Sequence, residues 1–302
     1  MCNSKLSPSV VGLHDTRFGI ADSYDIYRCG SCSLEQTLPR PSLGELKRLY
    51  ETHYNFGGQV GRVYSQFRDR FLSSALYRIW MRIDGDVSFH LRTGCGPLLD
   101  IGCNEGRGLR LYQRNGFQAE GLELNETAAA VARSAGFAVH TCPLKELRSE
   151  KGYQVAVLSN VLEHSVEPDE MLREVRSILA SGGQVWISCP NAQSWFRRVF
   201  RKSWINWHVP FHISHFSSAT LTSLLRHAGF IRIEVQQITP SVWIAQSLIV
   251  YLCGGSGKNL RLRNPFLTIM LMALVKGLLF PVTWLANRRG GGDCLVAVAT
   301  KP

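Results

Sequence analysis

The segment Pro97-Leu-Leu-Asp-Ile-Gly-Cys-Asn-Glu-Gly-Arg-Gly108, with Gly121-Leu-Glu-Leu124 behind it, constrains this chain more than any other part. It reads as an apolar strand ending in Asp100, a glycine turn, a helix, and a second strand ending in an acid. Glycine at 102 and 106 lets the backbone turn sharply and pass close beneath a ligand. Glu123 stands 21 residues beyond Gly102, where a carboxylate can accept both hydroxyls of a ribose. A dinucleotide turn would carry G-x-G-x-x-G. Here Gly102, Asn104, Gly106 and Gly108 fall two apart, which suits a nucleoside ligand without a pyrophosphate.

From Pro97 onward, short apolar runs alternate with helical patterns, as in a doubly wound, mostly parallel α/β sheet. Strands are expected near 98–101, 119–124, 138–141, 155–159, 184–188, 232–236 and 295–299. Ahead of them, 43–54 and 61–89 carry apolar residues at helical spacing, among them Phe67, Phe71, Leu72, Leu76, Ile79, Trp80 and Ile83. The chain then divides into a short cysteine-containing segment (1–45), a helical lead-in (46–95), a ligand-binding domain (96–241 with 293–302) and an apolar, basic insertion (242–292).

Asp100-Ile-Gly-Cys-Asn-Glu-Gly106 with Glu123 resembles the first two motifs of class I S-adenosylmethionine-dependent methyltransferases. Val155 to Asn160, Val161-Leu-Glu-His164 and Gly182-Gly-Gln-Val-Trp-Ile-Ser-Cys-Pro-Asn191 are similar, in order, to that family's fourth strand, following helix and fifth strand. Trp207-His-Val-Pro-Phe-His212-Ile-Ser-His215 resembles a histidine loop of the branch acting on quinones, sugars and lipid-linked molecules. The resemblance implies a Rossmann-like seven-stranded sheet and S-adenosyl-L-methionine as cofactor. It places Asp100 beside the turn, Gly102, Asn104 and Gly106 at the cofactor's amino-acid end, and Glu123 on the ribose. Leu124 and Leu144 then flank the adenine, and Asn160 closes the site with its backbone. Where Asn104 stands the family commonly has glycine; asparagine tolerates the left-handed angles such a turn needs. For a base, neutral imidazole is the side chain best poised to take a proton near neutral pH, so His164, His212 and His215 are the candidates. No metal-ligand cluster is expected in the sheet region.

Thirteen basic residues against Glu234 and Asp293 lie between 192 and 302, so the whole net charge of +11 belongs to this C-terminal part. Such asymmetry predicts an anionic partner, of which an anionic membrane surface fits best. Residues 242–252 are apolar apart from Gln246 and Ser247, and 265–286 contain Lys276 as their one charge. The second stretch is long enough to cross a bilayer, but a closing strand at 295–299 in the same sheet, Lys276 and Pro281 favour helices lying in the interface; a span or an oligomer contact are the alternatives. RNA methylation is disfavoured, since the charges flank apolar helices rather than interleaving with aromatics. A membrane-associated protein that binds cofactor without catalysis is the remaining reading. The N-terminus lacks the apolar run of an export signal, which places the chain in the cytoplasm, on the inner face of a membrane. Nine scattered cysteines do not make a secreted disulfide framework. Tyr24 to Arg28 read as a short strand ahead of Cys29 and Cys32, which are half of a zinc knuckle, with Cys2, His14 and His53 as poorly spaced further ligands; a plain turn is expected there.

Overall fold

Along β4 (Pro97–Ile101) successive side chains face opposite sides of the sheet, so Leu99 and Ile101 enter one core and Leu98 the other. The same alternation in β8 (Leu179–Pro190) sends Val185 and Ile187 one way and Trp186 the other. A sheet apolar on both faces must be covered twice, and it is. On one side lie Leu172 and Val175 of α5 (Pro168–Ile178) with Leu221 and Leu225 of α7 (Ser218–His227). On the other lie Leu109 and Tyr112 of α3 (Arg107–Arg114) and Ala129 and Ala132 of α4 (Glu126–Ser134). The computed structural model describes residues 4–53, 70–148, 152–254 and 265–302.

The remaining strands of this sheet are β5 (Gln118–Leu122), β6 (Val139–His140), β7 (Tyr153–Ser159), β10 (Ile231–Ile238) and β11 (Cys294–Thr300). Their order is β10-β11-β8-β7-β4-β5-β6, with β11 antiparallel to both of its neighbours. All seven expected strands are therefore present in one Rossmann-like sheet.

The N-terminal part is more ordered than its sequence suggests. β1 (Leu6–His14), β2 (Ser23–Cys29) and β3 (Glu35–Leu38) form an antiparallel sheet completed by β9 (Ser214–His215) from the histidine loop. β1 is an edge strand with Leu13 as its one buried residue, so it lacks the alternation that betrays a strand. Helix α1 (Leu43–His53) follows. Of the helix expected over 61–89, residues 61–69 lie outside the described residues; α2 (Ala75–Asp84) ends at Gly85, whose φ of 105° takes the chain out of the helix. Tyr77 and Met81 face inward, while Leu76, Ile79 and Ile83 are exposed.

The insertion forms α8 (Ser241–Cys253) and α9 (Pro265–Arg288); its basic turn at 255–264 lies outside the described residues. Ile244, Ala245, Val275 and Ala286 share a core with Leu13, Tyr24 and Ile26 of the N-terminal sheet and with Phe196 and Phe200 of α6 (Trp195–Phe200). Residues 270–288 have a mean hydropathy of 1.5, yet Lys276 is buried, its Nζ 3.4 Å from Asp84 Oδ1. Asp84 also accepts from the Ser241 N–H and hydroxyl. Burial nevertheless holds its carboxyl above the ordinary range.

Cys29 and Cys32 sit at the β2–β3 turn, which is closed by the Cys29 N–H donating to Leu34 O at 2.9 Å. The antiparallel register sets Leu6 opposite Cys29 and His14 opposite Ser23, so His14 is at the far end of the hairpin. Cys2 lies outside the described residues.

Candidate active site

The glycine turn after β4 is made by close approaches. Gly102 has φ 73° and donates its N–H to Leu122 O at 2.8 Å; a Cβ there would stand 2.8 Å from Val161 Cγ2. Asn104 adopts φ 50°, the left-handed angle expected of it, and its N–H meets Glu123 Oε2 at 2.9 Å. Gly106, at φ 75°, packs against Ala132 and Phe137. The other Glu123 oxygen accepts the Asn125 N–H at 2.8 Å, just where Asn125 caps α4. Glu123 thus ties the turn to the next helix, and each oxygen keeps a further lone pair for a ligand hydroxyl. Sequence reasoning missed Gly121: a Cβ there would meet Cys103 Sγ, and its glycine identity is the signal that could have shown the contact.

Asp100 is 5% exposed, and burial, reinforced by the charge of Glu123, pushes its carboxyl up to about 8. Two acids beside a tightly packed backbone turn suit a ligand bearing both hydroxyls and positive charge, which S-adenosylmethionine has. Asn160 takes φ 54° and donates its N–H to Ser188 O at 3.0 Å. Leu124 is exposed, whereas Leu144 lies in the core with Ile101 and Leu122.

Across the Val161 contact the chain enters a second cluster. Glu163 is 1% exposed and neither of its oxygens has a hydrogen-bond partner among the described residues; burial pushes it up to about 8. His164 Nδ1 lies 2.8 Å from Tyr50 Oη and 3.0 Å from Phe211 O. His212 Nδ1 faces Asn206 O at 2.8 Å, and its ring centroid is 4.7 Å from that of His164. His208, whose ring is 4.9 Å from His212, joins them in left-handed backbone at φ 39°. Burial is the first cause of the lowered pKa values, bringing His164 down to about 4 and His208 and His212 well below their ordinary value. These rings are neutral.

The structure therefore brings His164 and His212 together and sets His215 apart. His215 lies on β9, its Nε2 2.9 Å from Thr37 Oγ1 and its ring 5.4 Å from that of Trp207, and burial brings it down to about 3. Glu163 and His208 were missed by sequence reasoning, although Glu163 adjoins a candidate histidine. One ligand atom from each of Glu163, His164 and His212 lies within 4.8 Å of the others, a trio capable of holding a metal ion.

A family model described as a methyltransferase domain matches residues 58–235. A probable S-adenosylmethionine-dependent methyltransferase of Mycobacterium tuberculosis is 32% identical over 164 residues, covering 52% of this chain and 57% of the relative. A probable one of Mycolicibacterium smegmatis is 30% identical over 156 residues, covering 50% and 59%. The chain thus spans little more than half the length of these curated relatives. In fold it is similar to phosphoethanolamine N-methyltransferase 2 of Haemonchus contortus (TM-score 0.50, 15% identity, covering 100% of this chain and 70% of that one). It is also similar to the cyclase SpnF (TM-score 0.50, 17% identity, covering 87% and 97%).

Proposed function

This chain belongs to the class I S-adenosylmethionine-dependent methyltransferases, and from that premise we propose that it methylates an oxygen of an amphiphilic or lipid-linked acceptor at the inner face of a membrane. A quinone precursor, a glycolipid or a sugar is the acceptor class. A sulfonium donor is already activated, so the protein has to align the acceptor and, for a hydroxyl, accept its proton. Gly102, Asn104 and Gly106 hold the cofactor's amino-acid end, Glu123 its ribose and Leu124 the edge of its adenine. His212 gives its Nδ1–H to Asn206 O, which leaves Nε2 as an acceptor next to His164. Burial keeps these two imidazoles neutral, which leaves each an unprotonated ring nitrogen but makes it a weak base, so positioning of the acceptor carries most of the catalysis.

The observation that carries the membrane and the acceptor class is the outer face of α9. Met270, Leu274, Leu278 and Val282 recur every four residues along it and are exposed, with Phe280 and Trp284 beside them. Tyr251 and Leu252 of α8 and Val199 of α6 extend the apolar surface, edged by the exposed Arg198, Arg288 and Arg289. An apolar stripe rimmed with cations fits an anionic lipid surface, and the buried Lys276 favours a helix lying on it over one that crosses. Excising the insertion would open the shared core, so the test uses its outer face. The full chain and the variant Leu274→Asp/Leu278→Asp are incubated with labelled cofactor and a membrane extract. The expected result is a labelled, lipid-extractable product that falls steeply in the variant while cofactor affinity holds. Label confined to RNA, or none at all, would refute the acceptor class; equal labelling by the variant would refute docking.

A further inference from the structure

A buried carboxyl normally has a donor, because leaving its oxygens bare forfeits hydration without replacement. Glu163 has none among the described residues, and the imidazole nitrogen that faces it is an acceptor rather than a donor. His212 Nδ1–H is committed to Asn206 O, so the Nε2 that faces Glu163 Oε1 at 3.9 Å presents a lone pair. That distance is too long for a shared proton to make a hydrogen bond. His164 likewise turns Nδ1 toward the Phe211 carbonyl. Backbone carbonyls behind imidazoles are the outer contacts that orient metal-binding histidines and fix their tautomers.

We propose that Glu163, His164 and His212 bind one divalent first-row cation of the class that imidazole and carboxylate donors share, with zinc as its representative. The donors come from the loop between β7 and α5 and the loop between α6 and α7, neither within a regular strand or α-helix. Metal–ligand bonds of about 2.0–2.2 Å set ligand atoms about 3.3 Å apart. The Glu163–His212 separation of 3.9 Å therefore closes by about half an ångström on binding. Three protein donors leave a coordination position open, and an acceptor oxygen bound there would lose its proton more readily; with the cation in place His212 Nε2 is a ligand and does not itself take that proton. Cation binding itself requires no turnover, so it stands or falls independently of the methyl acceptor.

The test titrates chelator-treated full-length protein with Zn²⁺ against a chromophoric chelator, and with Co²⁺ by absorption. One cation per chain is expected, with a raised Tm. Glu163→Gln and His212→Asn should each weaken Zn²⁺ binding by about tenfold or more, and Cys29→Ser/Cys32→Ser should leave it unchanged. A folded wild type that binds no cation would overturn the proposal, as would binding indifferent to both substitutions. Should either variant fail to fold, the wild-type Co²⁺ spectrum decides. Bands of nitrogen and oxygen ligation support the site, while a thiolate charge-transfer band places the cation on cysteine and rejects it.

Discussion

Glu123 takes both of its partners, Asn104 and Asn125, from within 19 residues, whereas His164 takes Phe211 from 47 residues away and Tyr50 from 114. The cofactor side is thus assembled by one strand–turn–helix–strand unit, in which neighbours in sequence are neighbours in space. The histidine side exists only after the N-terminal sheet, the loop after β7 and the loop before α7 have come together; Thr37, whose hydroxyl donates to His212 O across 175 residues, is one of its fasteners. A unit of the first kind should tolerate disturbance of the rest of the molecule. The second should fail with it.

The largest expected effect comes from Lys276→Met, which leaves Asp84 buried with Ser241 as its one remaining partner among the described residues. Stability should fall by about 3–5 kcal/mol, as when one member of a buried ion pair is lost. If the two sides are separable, the molecules that stay folded bind cofactor with unchanged affinity, by calorimetry below the lowered Tm. A parallel loss of affinity would break the contrast.

Next comes Glu123→Ala, which removes charge-assisted hydrogen bonds worth roughly 1.5–3 kcal/mol, a ten- to hundredfold weakening of S-adenosylmethionine binding. The environment of the histidine side, monitored by the imidazole resonances in NMR, should not change. Widespread shifts there would mean that the turn and the cluster move as one.

The smallest effect contrasts two buried acids. Asp293 accepts from Ser194 and Trp204 and is raised to about 6, while Asp100, beside the charge of Glu123, is raised to about 8. A carboxyl whose folded pKa exceeds its unfolded value holds a proton that the unfolded chain has lost, so its contribution declines as pH rises from about 4 to the folded pKa. Between pH 6 and 8 the decline belongs to Asp100, together with Glu163, and not to Asp293. Asp100→Asn should flatten the fall of unfolding free energy over that window by up to about 1.4 kcal/mol per pH unit, in urea titrations. Identical slopes in wild type and variant would remove the distinction.

The same contrast explains what could be read from sequence. The seven strands of the main sheet and the turn around Gly102 declare themselves through local alternation and glycine spacing. Leu144 was assigned to the cofactor by motif position, which does not reveal that its side chain is packed among Ile101 and Leu122. Of the N-terminal sheet only β2 was legible, at Tyr24 to Arg28; β1 is an edge strand that is mostly exposed, and β9 is two residues long, paired with residues 35 and 36. Glu163 escaped notice because its lack of donors is a property of the folded surroundings, and nothing in the motif counts hydrogen bonds.

The shared core of the N-terminal hairpin and the C-terminal helices also has a consequence in time. Leu13, Tyr24 and Ile26 are polymerised about 250 residues before the Val275 and Ala286 that cover them. At the pace of a ribosome, about 5–20 residues per second, the hairpin's apolar face waits roughly 10–50 s for its cover. The main sheet is in the same position, since β11, which pairs with both β8 and β10, is made after the other six strands of that sheet. A nascent chain of this protein is therefore sticky until α9 and β11 have been made, and its yield in a cell should respond to chaperone supply more than its final stability would suggest.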